Sequence, residues 1–225
     1  MRIAALDIET CSLDNRAHVT EVAVVKVDYI PEADRDLDDA DDIPTKELAE
    51  RFWSSPVARR CFTFDFYEQV KLSRCVANDT LAFHERIRGL PEARRMMLGT
   101  EDYPLVSIAD GFKILRDQIA DCDQLWINGL SFDPVILRSL QQEAGIVEPT
   151  WDFRKECDVR TVRNTSPWVR AATERDGKPV AHRAYEDALW NIKVAVNYLE
   201  FVNTYAGTLK QKHPYKVGVK KSKLA

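Results

Sequence analysis

The sequence predicts an α/β fold on three observations. Residues 3–10 (I-A-A-L-D-I-E-T) and 19–27 (V-T-E-V-A-V-V-K-V) are β-rich runs joined by a polar turn, which reads as a hairpin. Further along, short apolar runs alternate with stretches of helical period. The chain has 225 residues, 45% hydrophobic and 30% charged, enough for one sizeable core and not obviously for two.

In chain order, residues 62–72 (F-T-F-D-F-Y-E-Q-V-K-L) alternate as a third strand, after a short helix expected over 45–60 with Leu48, Phe52 and Trp53 on one side. Asp79 or Thr80 caps a helix T-L-A-F-H-E-R-I, and Pro91 starts another that Gly99 closes. Ser107 caps a helix over 107–121, with Ile108, Phe112, Leu115 and Ile119 at helical spacing. Residues 125–128 (L-W-I-N) form a short buried strand, and P-V-I-L-R-S-L-Q-Q-E-A a helix ending at Gly145. Residues 150–153 are the expected fifth strand, and Asp158 caps a short helix V-R-T-V-R. The stretch 164–181 reads as a mobile loop, and 185–205 as one long helix with Leu189, Ile192, Val196 and Leu199 along a face.

The chemistry starts at Asp7 and Glu9. Two apart on a strand, their side chains leave the same face of the sheet, where they repel unless solvated, protonated or neutralised by a hard cation such as Mg2+. Asp133 stands before Pro134 at a strand-to-helix junction, where an ordinary helix cap is the competing reading. Asp187 lies in the first turns of the last helix, five residues after His182. Phe83, His84, Arg86, Arg88, Arg94 and Arg95 fall on the helical stretch 79–99, where arginines beside rings suit a single strand of nucleic acid and also suit an ordinary wet helix face.

Composition narrows the class. A net charge of −4 excludes a globally basic binder, and no apolar run reaches membrane-spanning length. Five cysteines without C-x-x-C spacing fit reduced thiols in a cytosolic protein rather than disulfides or a zinc site. Residues 31–42 form an acidic insertion, seven acids against Arg35. It is no EF-hand, since the glycine and glutamate such a loop needs are replaced by Asp39 and Thr45. The tail 216–225 has four lysines and no acid, a solubilising end or a phosphate-binding arm.

Taken together, D-I-E on a first strand, N-G-L-S-F-D on a strand-to-helix turn and H-R-A-Y-E-D opening the last helix resemble the three motifs of the DEDDh 3′–5′ exonuclease superfamily. The stand-alone phage and bacterial members, exonuclease A-like and mycobacterial exoribonuclease-like, are the most similar. The resemblance implies an RNase H-like sheet of three antiparallel and two parallel strands, with residues 1–215 as the exonuclease domain carrying insertions 31–42 and 79–99. It implies Asp7, Glu9, Asp133 and Asp187 as ligands of two Mg2+ or Mn2+ ions, with His182 as general base. It places Thr10 and Leu13 on the terminal nucleotide, and matches Asn128, Phe132 and Ala184 to motif positions. Phe83 and His84 fall where the family stacks a base, although His84 replaces an expected aromatic ring. The expected product is a nucleoside 5′-monophosphate. The expected partners are 3′ ends of single-stranded DNA or RNA, with a second copy of the chain as a further candidate and no membrane. The expected setting is the cytoplasm, that of the host if the chain is phage-encoded. A polymerase-associated proofreading subunit and a catalytically unused nucleic-acid-binding module are the alternatives.

Overall fold

The computed structural model of the protein describes residues 1–29, 58–89, 96–174 and 182–212, with side chains to residue 203. The acidic insertion 31–42, the start of the Pro91 helix and the tail 216–225 lie outside the described residues, as does most of the helix expected over 45–60.

The sheet is built from β1 (Arg2–Thr10), β2 (Val19–Asp28), β3 (Ala58–Phe64), β4 (Leu105–Val106), β5 (Gln124–Ile127) and β6 (Glu156–Asp158), in the order β4-β3-β2-β1-β5-β6. β1, β2 and β3 are antiparallel neighbours, and β5 and β6 add in parallel beyond β1. This is the expected three-plus-two arrangement, extended by the two-residue β4 parallel to β3. The helices are α1 (Phe66–Lys71), α2 (Asn78–Arg88), α3 (Ile108–Ile119), α4 (Asp133–Glu143), α5 (Val159–Thr165), α6 (Pro167–Ala172) and α7 (Ala184–Lys212).

Alternation along β1 divides the core. Ala4, Leu6 and Ile8 join Phe62, Phe64, Phe112, Leu115 and Leu137 on one face, under α3 and α4. Ile3 and Ala5 join Val25, Trp126, Ala184, Ala188 and Ile192 on the other, under α7. α3 forms as expected. Ser107 Oγ accepts from the Asp110 amide at 3.0 Å, and Ile108, Phe112, Leu115 and Ile119 are buried. Its Gly111 lies where a Cβ would collide with the Phe64 ring, so α3 packs directly on β3.

Several boundaries differ from the sequence reading, each for a local reason. The third strand is Ala58–Phe64, so residues 58–60 are strand and the 62–72 alternation stops at Asp65, whose carboxylate accepts from the Glu68 amide at 2.8 Å and starts α1. The strand expected at 150–153 forms instead at Glu156–Asp158, since Asp152 caps a short 3₁₀ turn over Phe153–Lys155. α6 occupies part of the expected loop 164–181, started by Pro167 in its first turn. α2 begins at Asn78 without a side-chain cap from Asp79 or Thr80. Asp133 is the first residue of α4 rather than its cap, a position held by Phe132. α7 runs from Ala184 to Lys212, longer at both ends than expected.

Candidate active site

Asp7 and Glu9 continue the Ile3–Ala5 face of β1, so both point under the start of α7, and both are buried. The strand ends on a bulge. The register pairs Glu9 with Glu21 but Thr10 with Val19, and the displaced Thr20 donates its hydroxyl to the Glu9 carbonyl at 3.0 Å. α7 brings its first turn over this end of the sheet. Its early amides are satisfied from other elements: Ala184 N–H donates to Glu21 Oε2 at 3.3 Å and Tyr185 N–H to the Tyr103 hydroxyl at 2.9 Å. Further along, the Asn191 side-chain amide donates to the Leu6 carbonyl at 3.4 Å.

Ligand atoms of Glu9, His182 and Asp187 lie within 4.8 Å of one another, and His182 Nδ1 stands 3.7 Å from Asp187 Oδ2. Asp133, buried at the start of α4, is close enough that its charge and that of Asp187 act on Glu9. Burial pushes the Glu9 carboxyl up to about 8, with Arg88 opposing and Glu21, Asp187 and Asp133 adding to the rise. Asp133 is likewise held far above the usual carboxylate range by burial, against the pull of Arg160. Glu9, His182 and Asp187 thus share one cluster, Asp133 borders it, and Asp7 sits two residues before Glu9 on the same strand face.

The residues expected to touch substrate are more scattered. Leu13 is 81% exposed in the turn after β1, while Thr10 is buried with its hydroxyl donating to the Ser12 carbonyl at 2.7 Å. Asn128 and Phe132 flank the turn into α4. Gly129 in that turn has φ +100°, and its amide donates to Asp158 Oδ1 at 3.1 Å. The Phe83 ring lies 5.5 Å from that of His182, tilted against it. His84 is buried and points inward, its Nε2 donating to the Thr10 carbonyl at 3.0 Å; burial lowers its pKa.

Two residues here went unassigned to the site from sequence. The side chain of Arg88 is 1% exposed and that of Glu21 3%. Arg88 Nη1 meets Glu21 Oε1 at 2.6 Å, and Nη2 stands 3.4 Å from Glu9 Oε1. A glutamate inside the β-branched run 19–27 was the available signal for a buried charge needing a partner.

A mixed sheet that gathers acids from its first strand, a strand-to-helix turn and the first turn of its last helix defines the RNase H-like 3′–5′ exonuclease class. Within that class, the model of the 3′-5′ exoribonuclease Rv2179c-like domain matches residues 2–199, and the chain belongs to this family. Its fold is similar to an exonuclease I from Methylocaldum szegediense (TM-score 0.53, 14% identity, 95% of this chain and 41% of that one). The zinc-bound form of an E. coli ExoI–ssDNA complex also matches (TM-score 0.48, 12% identity, 95% and 41%). The chain therefore spans about two fifths of the length of these structures. No curated protein matches the chain.

Proposed function

We propose that this protein is a metal-dependent 3′–5′ exonuclease that releases nucleoside 5′-monophosphates from single-stranded nucleic acid. The observation that carries the reading is the meeting of Glu9, Asp187 and His182 within 4.8 Å, bordered by buried Asp133. Glu9 and Asp133, whose burial raises their proton affinity, together with neighbouring Asp187 form a donor set suited to hard divalent cations such as Mg2+ or Mn2+. Asp7, Glu9, Asp133 and Asp187 would hold two such ions. Bound there, the ions would supply an activated water and neutralise charge on the phosphoryl oxygens.

The remaining tasks fall to the chain. His182, half-exposed beside Asp187, accepts a proton from the attacking water, and its contact with Asp187 and Phe83 restricts the ring. Leu13, standing out from the turn after β1, packs on the terminal base, while Thr10 helps fix the sugar end. Phe83 lines the side nearest His182, and Asn128 and Phe132, in the turn that carries Asp133, would help place the strand. The family's description as exoribonuclease supports RNA as the first substrate to test.

A time course on 5′-labelled single-stranded RNA and DNA of one sequence, with Mg2+ or with chelator, tests the reading. A metal-dependent ladder of shortening products is expected, and an oligonucleotide carrying a 3′-phosphate should resist. Rapid cleavage of closed circles would overturn the exonuclease assignment, and undiminished digestion in chelator would overturn the metal.

A further inference from the structure

Glu9 and Glu21 face one another across the β1–β2 pair, an arrangement in which two carboxylates repel. Both are buried, and burial raises the proton affinity of each. The guanidinium of Arg88 enters from the last turn of α2. Nη1 takes Glu21 Oε1 at 2.6 Å, and Nη2 lies 3.4 Å from Glu9 Oε1. Glu21 then uses its second oxygen, Oε2, to receive the Ala184 amide at the start of α7. Asp187 follows within the first turn, and His182 precedes it by five residues. Glu9, Arg88, Glu21 and the head of α7 thus form a continuous chain of contacts joining the strand acid to the helix acid.

One turn before Arg88, His84 Nε2 donates to the carbonyl of Thr10. The helix therefore grips the end of β1 at two successive residues, through side chains spaced i and i+4. Arg88 Nε and Nη2 are buried and find no hydrogen-bond acceptor among the described residues. A guanidinium placed so deeply, with Nη1 hydrogen-bonded to Glu21 and Nη2 in ionic contact with Glu9, serves those acids rather than the surface.

We infer that Arg88 is a positioning residue of the nuclease site, using the two arms of its guanidinium to fix Glu9 and, through Glu21, the first turn of α7, so that Glu9 and Asp187 stand at cation-binding separation. A fork can span two carboxylates, whereas the single ammonium of lysine cannot hold both in that geometry. Glu9 Oε1 stands beside Arg88, and a Glu9 carboxylate oxygen lies within 4.8 Å of the ligand atoms of His182 and Asp187. The inference rests on the metal-site reading above and adds a requirement for shape as well as charge.

The two requirements separate by sign. If Arg88 acted only as a positive charge, its removal in Arg88→Met would tighten Mn2+ binding by relieving repulsion, and Arg88→Lys would leave it unchanged. If Arg88 positions the acids, both variants bind Mn2+ more weakly.

The test is calorimetric titration of the substrate-free full chain with Mn2+, for the unaltered protein, Arg88→Lys and Arg88→Met, with circular dichroism to establish that each is folded. Steady-state kinetics on a labelled oligonucleotide at saturating Mn2+ complete it. The expected result for Arg88→Lys is Mn2+ binding weakened about fivefold or more and kcat lowered about tenfold, with KM within about threefold of the unaltered value. Arg88→Lys binding Mn2+ as tightly as the unaltered protein and turning over at the same kcat would overturn the inference while leaving the metal-site reading intact. Failure of the unaltered protein to bind Mn2+ would overturn both. Arg88→Lys carries the decision even if Arg88→Met does not fold.

Discussion

Each end of β1 carries an arginine set between two carboxylates, and the two arrangements have opposite electrostatics. At the entry end, Arg2 Nε meets Asp28 at 2.7 Å and its Nη1 meets Asp121 at 2.6 Å, with Lys26 also on Asp121 at 2.9 Å. Two cations face two anions near solvent, and Asp121 is pulled down to about 2 by its bonds to Lys26 and Arg2. At the exit end, Arg88 lies between Glu9 and Glu21 with Asp133 and Asp187 nearby, and burial drives Glu9 up to about 8. An arginine between two acids thus accompanies a stabilised charge at the wet, balanced end and a penalised one at the dry, acid-rich end, where Arg88 Nη2 stands 3.4 Å from Glu9 without a hydrogen bond. On the proposed function, the surplus of buried acids at the exit end is what would attract a cation.

The largest expected effect tests that surplus directly. Asp187→Asn removes one acid while keeping its shape, and activity should fall about a thousandfold or more, equivalent to about 4 kcal/mol of transition-state stabilisation. Metal-free stability should not fall, because one repulsive charge has gone. A variant retaining activity within tenfold would remove Asp187 from the site. Next comes Arg88→Ala, which takes the guanidinium from between the opposed Glu9 and Glu21. Breaking a buried pair of this kind costs about 3–5 kcal/mol, readable in urea unfolding. A loss below about 1 kcal/mol would mean that the exit end behaves like the surface one.

The parts of this design legible in the sequence are those that depend on local period. Alternation placed Asp7 and Glu9 on one face of β1, and helical spacing placed Asp187 in the first turns of α7 five residues after His182. Pairings between distant segments were not legible. Arg88 follows Arg86 on a helix whose arginines suited either nucleic acid or solvent, and only the packing of α2 against the bulged end of β1 turns Arg88 inward while Arg86 remains exposed. The third strand was misplaced because F-T-F-D-F keeps its alternation past Phe64, although the Asp65 carboxylate had already capped a helix. Strand β6 was expected at residues 150–153, a few positions early, since its position is set by pairing with β5 rather than by its own composition.

The opposed shifts also predict opposed pH slopes. A carboxyl whose folded pKa is raised, as for Glu9 and Asp133, contributes stability that is complete below its unfolded value of about 4 and lost as pH rises through its folded value, about 8 for Glu9. In chelator, the urea midpoint should therefore fall between pH 6 and pH 9, and Asp133→Asn should flatten that fall. Added Mn2+ should raise the midpoint most at the alkaline end, where the acids are charged and binding favours the folded state. A slope unchanged in Asp133→Asn would assign the alkaline loss to other groups.

The smallest effect belongs to the entry end. Asp121, with its lowered pKa, contributes stability present above pH of about 4 and lost as pH falls through about 2, the reverse of the site acids. The Asp121 side chain is 47% exposed and that of Arg2 35%, so solvent and salt already weaken their attraction. Arg2→Ala should shift the melting temperature by no more than about 2 °C at neutral pH, and that shift should vanish at about 0.5 M NaCl, where screening acts within a few ångströms. Arg88→Ala should remain destabilised at the same salt concentration, because mobile ions do not enter a site where the guanidinium is 1% exposed. Equal salt sensitivity of the two variants would place the Arg88 network in water, and the contrast between the two ends of β1 would then rest on charge balance alone.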